Sequence, residues 1–388
     1  MSEKIKSVAL ITTHSWVATS TSVLSTIKFF IERKINVTLF VDEWINDSNL
    51  NFPKISFPED FFKLVIFKPY LHYERPYSWF KRLNFLNTDK YKFEDIEFAW
   101  VNKYNASNCD LIIGYDEKGL ERAWLLNKFW RKKIIYHSLE LFEKVGIEKK
   151  REIKHCKDCE FLITQDEKRR EVFAALNEIN INKIKVVYNS TSGNIIETKS
   201  NYFRDLFGIK EEQKIILFVG SVIPEHGIFE VIEQFKKIDK SWVLVIHGWI
   251  PDIEIKKKIL NIVADTENIF YSGGLLADDK KFDIFTGVDV GLVFFKPLNS
   301  NLKYAAGSAG KLFDFIRSGV PVIGNNIPGM NLLLEGNNAG VTLDDDYNLE
   351  LGVKTIEENF DMFRKNSFDT FVKYEFSKTF ETVIKQFI

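Results

Sequence analysis

Short apolar runs alternate with longer amphipathic segments along almost the whole 388-residue chain, and this alternation constrains the fold more than any other feature. The short runs are rich in β-branched residues and apolar on both faces, which is typical of strands covered by helices on both sides. Such a pattern predicts an α/β protein with parallel, doubly wound sheets. The predicted strands are 8–11, 37–40, 64–67, 111–113, 134–136, 161–163 and 186–188, then 215–219, 243–246, 269–271, 290–294, 320–323 and 340–342.

The alternation stops once, at the polar sequence YNSTSGN of residues 188–194, and restarts after Gln213. A cluster of Asn, Ser, Thr and Gly between two periodic regions is typical of a loop or linker. We therefore predict two similar domains, 1–195 and 196–367. The remaining residues, about 368–388, are predicted to form one amphipathic helix that packs back on the first domain.

The amino-acid composition limits the cellular compartments and the classes of partner that we expect for this protein. The formal net charge is -1, so the chain lacks the global positive charge of nucleic-acid-binding proteins, and we expect no nucleic acid as partner. Three cysteines are a sparse and odd number, which fits a reducing compartment. No apolar run approaches the roughly 18–20 residues of a membrane span, and the N-terminal apolar patch is better explained as a first strand. We expect a cytoplasmic protein.

Residues 61–85, FFKLVIFKPYLHYERPYSWFKRLNF, interleave aromatic with basic side chains. This combination suits a peripheral contact with the inner face of the cell membrane. The alternative interpretation is a long insertion between a strand and a helix whose aromatic rings pack on the domain. Both interpretations stay open from the sequence.

The segment GKLFDFIRSGVPVIGNNIPG, residues 310–329, predicts a short helix with a polar face. Leu312, Phe315 and Ile316 recur at helical spacing and form its apolar stripe. Lys311 and Asp314 are three residues apart on another face. A lysine suits a phosphate and a carboxylate suits a ribose diol, whereas the alternative is an ordinary surface ion pair.

Two glycine-containing loops accompany this helix. The small residues 305–310, including Gly307 and Ser308, precede it and would let backbone N–H groups approach an anion. Gly220 ends the first predicted strand of the second domain, where a glycine permits close approach of a ligand to the backbone. The chain contains none of the G-x-G-x-x-G, G-x-S-x-G or H-E-x-x-H motifs, so dinucleotide redox chemistry, an α/β-hydrolase elbow and a zincin site are not favoured.

Taken in order, these motifs resemble the GT-B glycosyltransferases, and most closely the retaining glycosyltransferase family 4. Gly220-Ser221, the sequence PEHG of residues 224–227 and KLFDFIRSGVPVI of residues 311–323 resemble the donor domain of that family. The sequences DLIIGYD at 110–116 and IIYHSLE at 134–140 resemble strand ends of its acceptor domain. The resemblance implies two Rossmann-like domains facing a cleft, with an N-terminal acceptor domain and a C-terminal nucleotide-sugar donor domain.

The resemblance also implies roles in donor binding. Asp314 occupies the position of the second Glu of the family's Glu-x7-Glu motif, which holds the nucleotide ribose, while Ala306 replaces the first. The usual Arg and Lys that bind the diphosphate are replaced by Ser221 and His226. We expect Lys311 to supply the positive charge instead. Lys303 is a second candidate, and the loop residues Gly220, Gly307 and Ser308 complete the predicted donor site.

His137 follows a strand of the first domain, and the resemblance places it near the donor sugar as a catalytic candidate together with Lys311; the alternative is a histidine buried in the core. His14, Trp16 and Asp116 are acceptor-side candidates, although Asp116 is equally suited to capping the helix that follows it.

The implied reaction moves a sugar from a nucleotide-sugar to an acceptor hydroxyl with retention, without a metal or other cofactor, in the synthesis of surface polysaccharide, lipopolysaccharide or a glycolipid. The alternatives are a GT-B nucleotide-sugar epimerase or hydrolase and a non-catalytic binding or scaffold protein.

Overall fold

A computed structural model describes residues 4–13, 17–43, 57–68, 91–274, 280–344 and 348–388. The described residues form two compact units. The first comprises the described part of the chain up to Val187 together with Thr379–Ile388, and the second comprises the described part of Tyr188–Lys378. The predicted boundary between residues 195 and 196 thus lies inside the second unit.

The first unit alternates strands and helices as its sequence pattern predicts. Its elements are β1 (Ser7–Ile11), α1 (Thr21–Glu32), β2 (Asn36–Asp42), β3 (Phe62–Phe67), α2 (Phe93–Asn102), β4 (Leu111–Tyr115), α3 (Asp116–Trp130), β5 (Lys133–His137), α4 (Ile147–Asp158), β6 (Phe161–Thr164), α5 (Glu167–Asn177) and β7 (Ile184–Val186). The strands form one parallel sheet in the order β3-β2-β1-β4-β5-β6-β7. The order reverses at β1, between β2 and β4.

The second unit repeats this plan. Its elements are α6 (Tyr202–Phe207), β8 (Lys214–Val219), α7 (Ile228–Phe235), β9 (Trp242–His247), α8 (Ile253–Ala264), β10 (Ile269–Tyr271), α9 (Asp283–Thr286), β11 (Val290–Val293), α10 (Ser300–Lys303), α11 (Gly310–Arg317), β12 (Val322–Asn325), α12 (Met330–Leu333), β13 (Gly340–Leu343), α13 (Leu349–Glu358), α14 (Phe360–Tyr374) and the start of α15 (Phe376–Ile384). The parallel sheet has the order β10-β9-β8-β11-β12-β13, so the order reverses at β8.

The central strand β8 shows why the strands are apolar on both faces. Ile215, Leu217 and Val219 belong to the hydrophobic core on one side of the sheet. Ile216 and Phe218 belong to a second core on the other side. Successive side chains of a strand point to opposite faces, so a sheet covered by helices on both faces needs apolar residues at every position.

Two strands are shifted from their predicted positions. β12 was predicted to begin at residue 320, but it begins at Val322. Pro321 has no N–H to donate to a neighbouring strand. The N–H of Val320 donates to Phe315 O across 3.0 Å instead of to the sheet. The prediction for β7 was 186–188, whereas the strand is Ile184–Val186. Tyr188 packs instead against Tyr374, with ring centroids 4.6 Å apart.

The single helix predicted at about 368–388 is wrong, because two helices, α14 and α15, meet at Glu375. The backbone of Glu375 is extended (ψ 134°), which ends α14. Its carboxylate accepts hydrogen bonds from Gly193 N and Lys378 N, both at 2.9 Å, and thereby caps the first turn of α15. In the first unit, Phe380 packs edge-on against Phe29 with centroids 4.9 Å apart.

Candidate functional site

The carboxyl end of β8 is the point of the second unit where the strand order reverses, and such points are the usual ligand sites of open α/β sheets. Gly220 follows the last residue of β8 in a left-handed conformation, with φ 111°. A Cβ atom on Gly248 would come within 1.8 Å of Gly220 O. The close approach of the two turns therefore requires glycine at position 248, and the left-handed backbone favours glycine at position 220.

Lys311, in the first turn of α11, extends to this strand end. Its ammonium donates to Val219 O across 3.3 Å. The Nζ atom lies 5.0 Å from the ring centroid of Phe295 and 5.5 Å from that of Phe218. Burial lowers the pKa of Lys311 to about 8, because a charge in an apolar setting loses its hydration. The site therefore holds a poorly solvated cation at the carboxyl end of the central strand.

Asp314 lies one turn further along α11 and has a different partner from Lys311. Its Oδ2 atom is 2.7 Å from the ammonium of Lys281, which precedes α9. The side chain of Asp314 is only 5% exposed, against 32% for Lys281. Within the described residues the Oδ1 atom is buried and has no hydrogen-bond partner. Among the ion pairs of the described residues, Asp314 pairs with Lys281 and not with Lys311. The surface pair Lys311–Asp314, which we considered as an alternative, is therefore not formed there.

Ser221 and His226 lie in the loop between β8 and α7. The imidazole Nδ1 of His226 is 2.8 Å from Ser221 O. Its ring meets Phe295 edge-on, with centroids 5.1 Å apart. Burial and the nearby positive charge of Lys311 lower the pKa of His226 to about 4. His226 is therefore neutral at pH 7 and supplies no cation there.

The other donor-site candidates differ in their surroundings. Gly307 and Ser308 form a tight turn before α11, and their carbonyl oxygens accept hydrogen bonds from Asn189 N (3.0 Å) and Asn189 Nδ2 (2.8 Å). These contacts fix the turn. Lys303 is the last residue of α10 and is exposed. Its Nζ atom lies 5.4 Å from the ring centroid of Tyr304, and no described contact joins it to Lys311.

In the first unit, His137 is the last residue of β5 and is fully buried. Its ring centroid is 5.3 Å from that of Tyr115, at the end of the neighbouring strand β4. Within the described residues neither ring nitrogen has a hydrogen-bond partner. Burial lowers the pKa of His137 to about 4, although the charge of Asp116 opposes the shift. His137 is therefore a neutral imidazole with unused hydrogen-bonding capacity at a strand end.

Asp116 begins α3 with a left-handed backbone, φ 53°. Its Oδ1 atom accepts hydrogen bonds from Leu139 N at 2.7 Å and Glu140 N at 2.8 Å. Asp116 thus fastens the loop that follows His137, a role that neither sequence interpretation included. Its predicted contact with an acceptor stays a prediction.

His14 and Trp16 lie outside the described residues, as do residues 69–90, which include most of the predicted aromatic and basic segment 61–85. Across the described ranges, no helix combines the length and apolar character needed to cross a membrane.

Lys281 is the site residue that sequence reasoning missed. It precedes α9, whereas Asp314 lies on α11, and it matches no motif. A physical argument could have indicated that Asp314 has a partner. A carboxylate that is buried where a helix packs against a sheet needs a cation or hydrogen-bond donors.

Several solved structures share the fold of this chain. HepE from Anabaena in complex with UDP superposes with a TM-score of 0.71 at 12% identity, covering 98% of this chain and 99% of that one. Sucrose-phosphate synthase from Thermosynechococcus elongatus gives 0.69 at 12% identity over 98% of both chains. WaaG, a glycosyltransferase involved in lipopolysaccharide biosynthesis, gives 0.58 at 13% identity over 98% of this chain and 99% of its own.

No protein-family model matches the chain, and no curated protein matches it in sequence. The likeness is therefore one of fold. The described residues form two parallel sheets of seven and six strands, each with the Rossmann-type order, and these match the GT-B fold of glycosyltransferases. This confirms the fold class that the sequence predicts.

Proposed function

We propose that this protein is a glycosyltransferase that uses a nucleotide-sugar donor. One observation carries the proposal most directly: the ammonium of Lys311 lies at Val219 O, at the carboxyl end of β8 where the strand order reverses. A desolvated lysine beside a glycine turn is suited to the oxygens of a diphosphate.

The donor is assigned to the second unit. Lys311 faces the diphosphate, the glycine at position 220 lets the phosphates approach the backbone, and the Asp314–Lys281 pair lies at the ribose end. Binding of an anion would restore the lowered pKa of Lys311, since an opposite charge favours the ammonium form. Ser221 and His226, which replace the family's Arg and Lys, line the same loop without adding charge at pH 7.

UDP-sugars are the first donors to test. HepE was solved with UDP, with UDP and glucose, and with UDP-glucose. At 11–12% identity this supports the class of donor and leaves the base and the sugar to experiment.

The acceptor is assigned to the first unit, with His137 as the residue that contacts the donor sugar. A neutral imidazole accepts a hydrogen bond at one nitrogen and donates one at the other. The unused ring nitrogens of His137 therefore suit a sugar hydroxyl better than they suit an anion. His14, Trp16 and Asp116 remain proposed acceptor contacts.

The proposed reaction proceeds with retention of the anomeric configuration. The acceptor oxygen forms a bond to the anomeric carbon on the face from which the diphosphate leaves. The bond between that carbon and the phosphate oxygen breaks, and the acceptor proton passes to the departing phosphate. Lys311 stabilises the charge that develops on the leaving group. This scheme uses no metal, so we expect activity to persist in EDTA.

The proposed pathway is the synthesis of surface polysaccharide, lipopolysaccharide or glycolipid. WaaG, which shares the fold, acts in lipopolysaccharide biosynthesis. The proposed location is the cytoplasm, with peripheral contact at the inner face of the membrane through residues 61–85.

A thermal-shift panel of UDP-, GDP-, CMP- and dTDP-sugars tests the proposal, because a ligand that binds the folded state raises the melting temperature by mass action. At a concentration 100 times its Kd, the correct donor adds about 2.7 kcal/mol to the free energy of unfolding. Binding of none of these donors would contradict the proposal.

The replacement of family residues by Ala306, Ser221 and His226 motivates two alternatives. A nucleotide-sugar epimerase or hydrolase would convert the donor with no acceptor present. A binding or scaffold protein would bind the nucleotide and form no product with any acceptor. Product analysis with and without acceptor separates all three.

A further inference from the structure

We propose that Lys281 is the residue that contacts the ribose of the bound nucleotide, and that Asp314 positions it. This inference rests on the proposed function and changes the role that resemblance gives to Asp314. A lysine from the turn before α9 would then take part in donor recognition.

The first observation is the order of the two groups from the surface inward. The side chain of Lys281 is 32% exposed and that of Asp314 is 5% exposed, with 2.7 Å between Nζ and Oδ2. A ligand arriving from solvent therefore meets the ammonium before the carboxylate. The remaining oxygen, Oδ1, is inaccessible and has no hydrogen-bond partner within the described residues.

The second observation concerns what the buried carboxylate does to the lysine. A free lysine side chain samples many rotamers, and ordering it costs conformational entropy. Here the ion pair holds the ammonium in place before any ligand arrives. Two of its three N–H donors remain for other acceptors, because one is used by Oδ2. A fixed ammonium with free donors is preorganised to bind hydroxyl oxygens.

The third observation separates the two lysines of the site. The ammonium of Lys311 points to Val219 O and to the rings of Phe218 and Phe295. Burial lowers the pKa of Lys311, whereas the ammonium of Lys281 is held by the Asp314 carboxylate. Lys311 and Lys281 therefore serve two different positions along the site. The proposed function assigns the diphosphate to Lys311 and the ribose to the position of the Lys281–Asp314 pair.

The test measures the affinity of UDP, 2′-deoxy-UDP, 3′-deoxy-UDP and inorganic pyrophosphate by titration calorimetry. Lys281→Met removes the donor, Lys281→Arg retains a cation, and Asp314→Asn removes the positioning charge. The matched control is Lys280→Met, since Lys280 is the exposed neighbour in the sequence. GDP and its deoxy forms replace the uracil series if UDP does not bind.

We expect Lys281→Met to weaken UDP roughly 10-fold to 100-fold, as for loss of a hydrogen bond to a charged group. Pyrophosphate affinity and the Lys280→Met control should not change, and Lys281→Arg should recover part of the loss. One deoxy analogue should bind the wild type and Lys281→Met equally, because it lacks the hydroxyl that Lys281 contacts. The double variant Asp314→Asn/Lys281→Met should bind UDP no more weakly than Lys281→Met alone.

Three results would overturn the inference. Tighter UDP binding by Lys281→Met would show that the lysine competes with the ligand. A double variant at least 10-fold weaker than Lys281→Met would show that Asp314 contacts the ribose itself. Equal losses for UDP, both deoxy analogues and pyrophosphate would show a general charge effect. If the wild type binds no nucleoside diphosphate, the proposed function fails instead.

Discussion

The ammonium of Lys311 donates to the carbonyl oxygen of Val219 across 3.3 Å, and this contact ties α11 to the carboxyl end of β8. The two residues are distant in sequence but meet because β8 and β11 lie side by side in the sheet and α11 packs against it. The contact defines a cation position at the place where the sheet reverses its strand order.

Replacing Lys311 by Met should weaken nucleotide binding at least 10-fold and raise stability. The pKa of Lys311 is about 8 in the folded protein, against 10.5 for an ordinary lysine, so folding at pH 7 includes the cost of burying a charge. Removing the charge should increase the free energy of unfolding by about 1–3 kcal/mol. Urea denaturation at pH 7 measures this, with exposed Lys303→Met as the control. A destabilised Lys311→Met would show that the lysine is structural.

The same pKa gives a signed pH dependence. Below pH 8 Lys311 is charged in both the folded and unfolded states, so the cost is fully present. Between about pH 8 and 10.5 the folded protein has lost the proton and the unfolded chain retains it, so this contribution to stability rises with pH. The advantage of Lys311→Met should therefore shrink over that range. An advantage that stays constant up to pH 10.5 would contradict the lowered pKa.

Replacing His137 by Leu should reduce turnover and leave the fold intact. The imidazole is fully buried, and neither ring nitrogen finds a partner in the described residues, so an apolar side chain of similar size leaves nothing unpaired. We expect turnover to fall roughly 10-fold to 100-fold, the equivalent of one or two hydrogen bonds. UDP affinity should be unchanged, since UDP lacks the transferred sugar that His137 is proposed to contact. Normal turnover by His137→Leu would remove the residue from the mechanism.

Acid should destabilise the wild type more than His137→Leu. The pKa of His137 is about 4 in the folded state, below its ordinary value of 6.5. The stability that the protein gains from keeping this imidazole neutral is fully present above pH 6.5. It is lost as the pH falls toward 4, because the unfolded chain binds the proton at a higher pH than the folded protein does. Between pH 6.5 and 4 we expect the melting temperature of the wild type to fall further below its own value at pH 7 than that of His137→Leu does. Parallel curves would contradict a buried neutral imidazole.

Asp116→Ala should destabilise the first unit without changing nucleotide affinity. It removes the acceptor for Leu139 N and Glu140 N, and we expect a loss of about 1–3 kcal/mol. Asp116→Asn retains an oxygen acceptor and should recover part of it. Denaturant titration followed by tryptophan fluorescence measures both. A fully stable Asp116→Ala with lost activity would favour an acceptor contact instead.

The sequence predicted the central strands well because strands such as β8 and β9 are apolar on both faces, as a sheet covered by helices on both sides requires. Two of the errors fall where a single residue changes the backbone. Pro321 delays β12, and Glu375 divides the predicted C-terminal helix into α14 and α15. A strand or helix propensity summed over a window does not detect such single-residue effects.

The site was predictable only where its residues belong to a local motif. Lys311 and Asp314 share one helix, so their spacing indicated a polar face. Their actual partners, Val219 and Lys281, come from other elements, and only the three-dimensional fold brings them together. Asp116 shows the same limit, because its hydrogen bonds reach a loop that follows the next strand.

The most direct test of the central claim is calorimetric titration of UDP into the wild type and Lys311→Met at pH 7, with GDP as a second nucleotide. We expect saturable, one-to-one binding of a nucleoside diphosphate to the wild type and a loss of affinity of at least 10-fold in the folded variant. Equal binding to both proteins, or no binding of either nucleotide to the wild type, would contradict it.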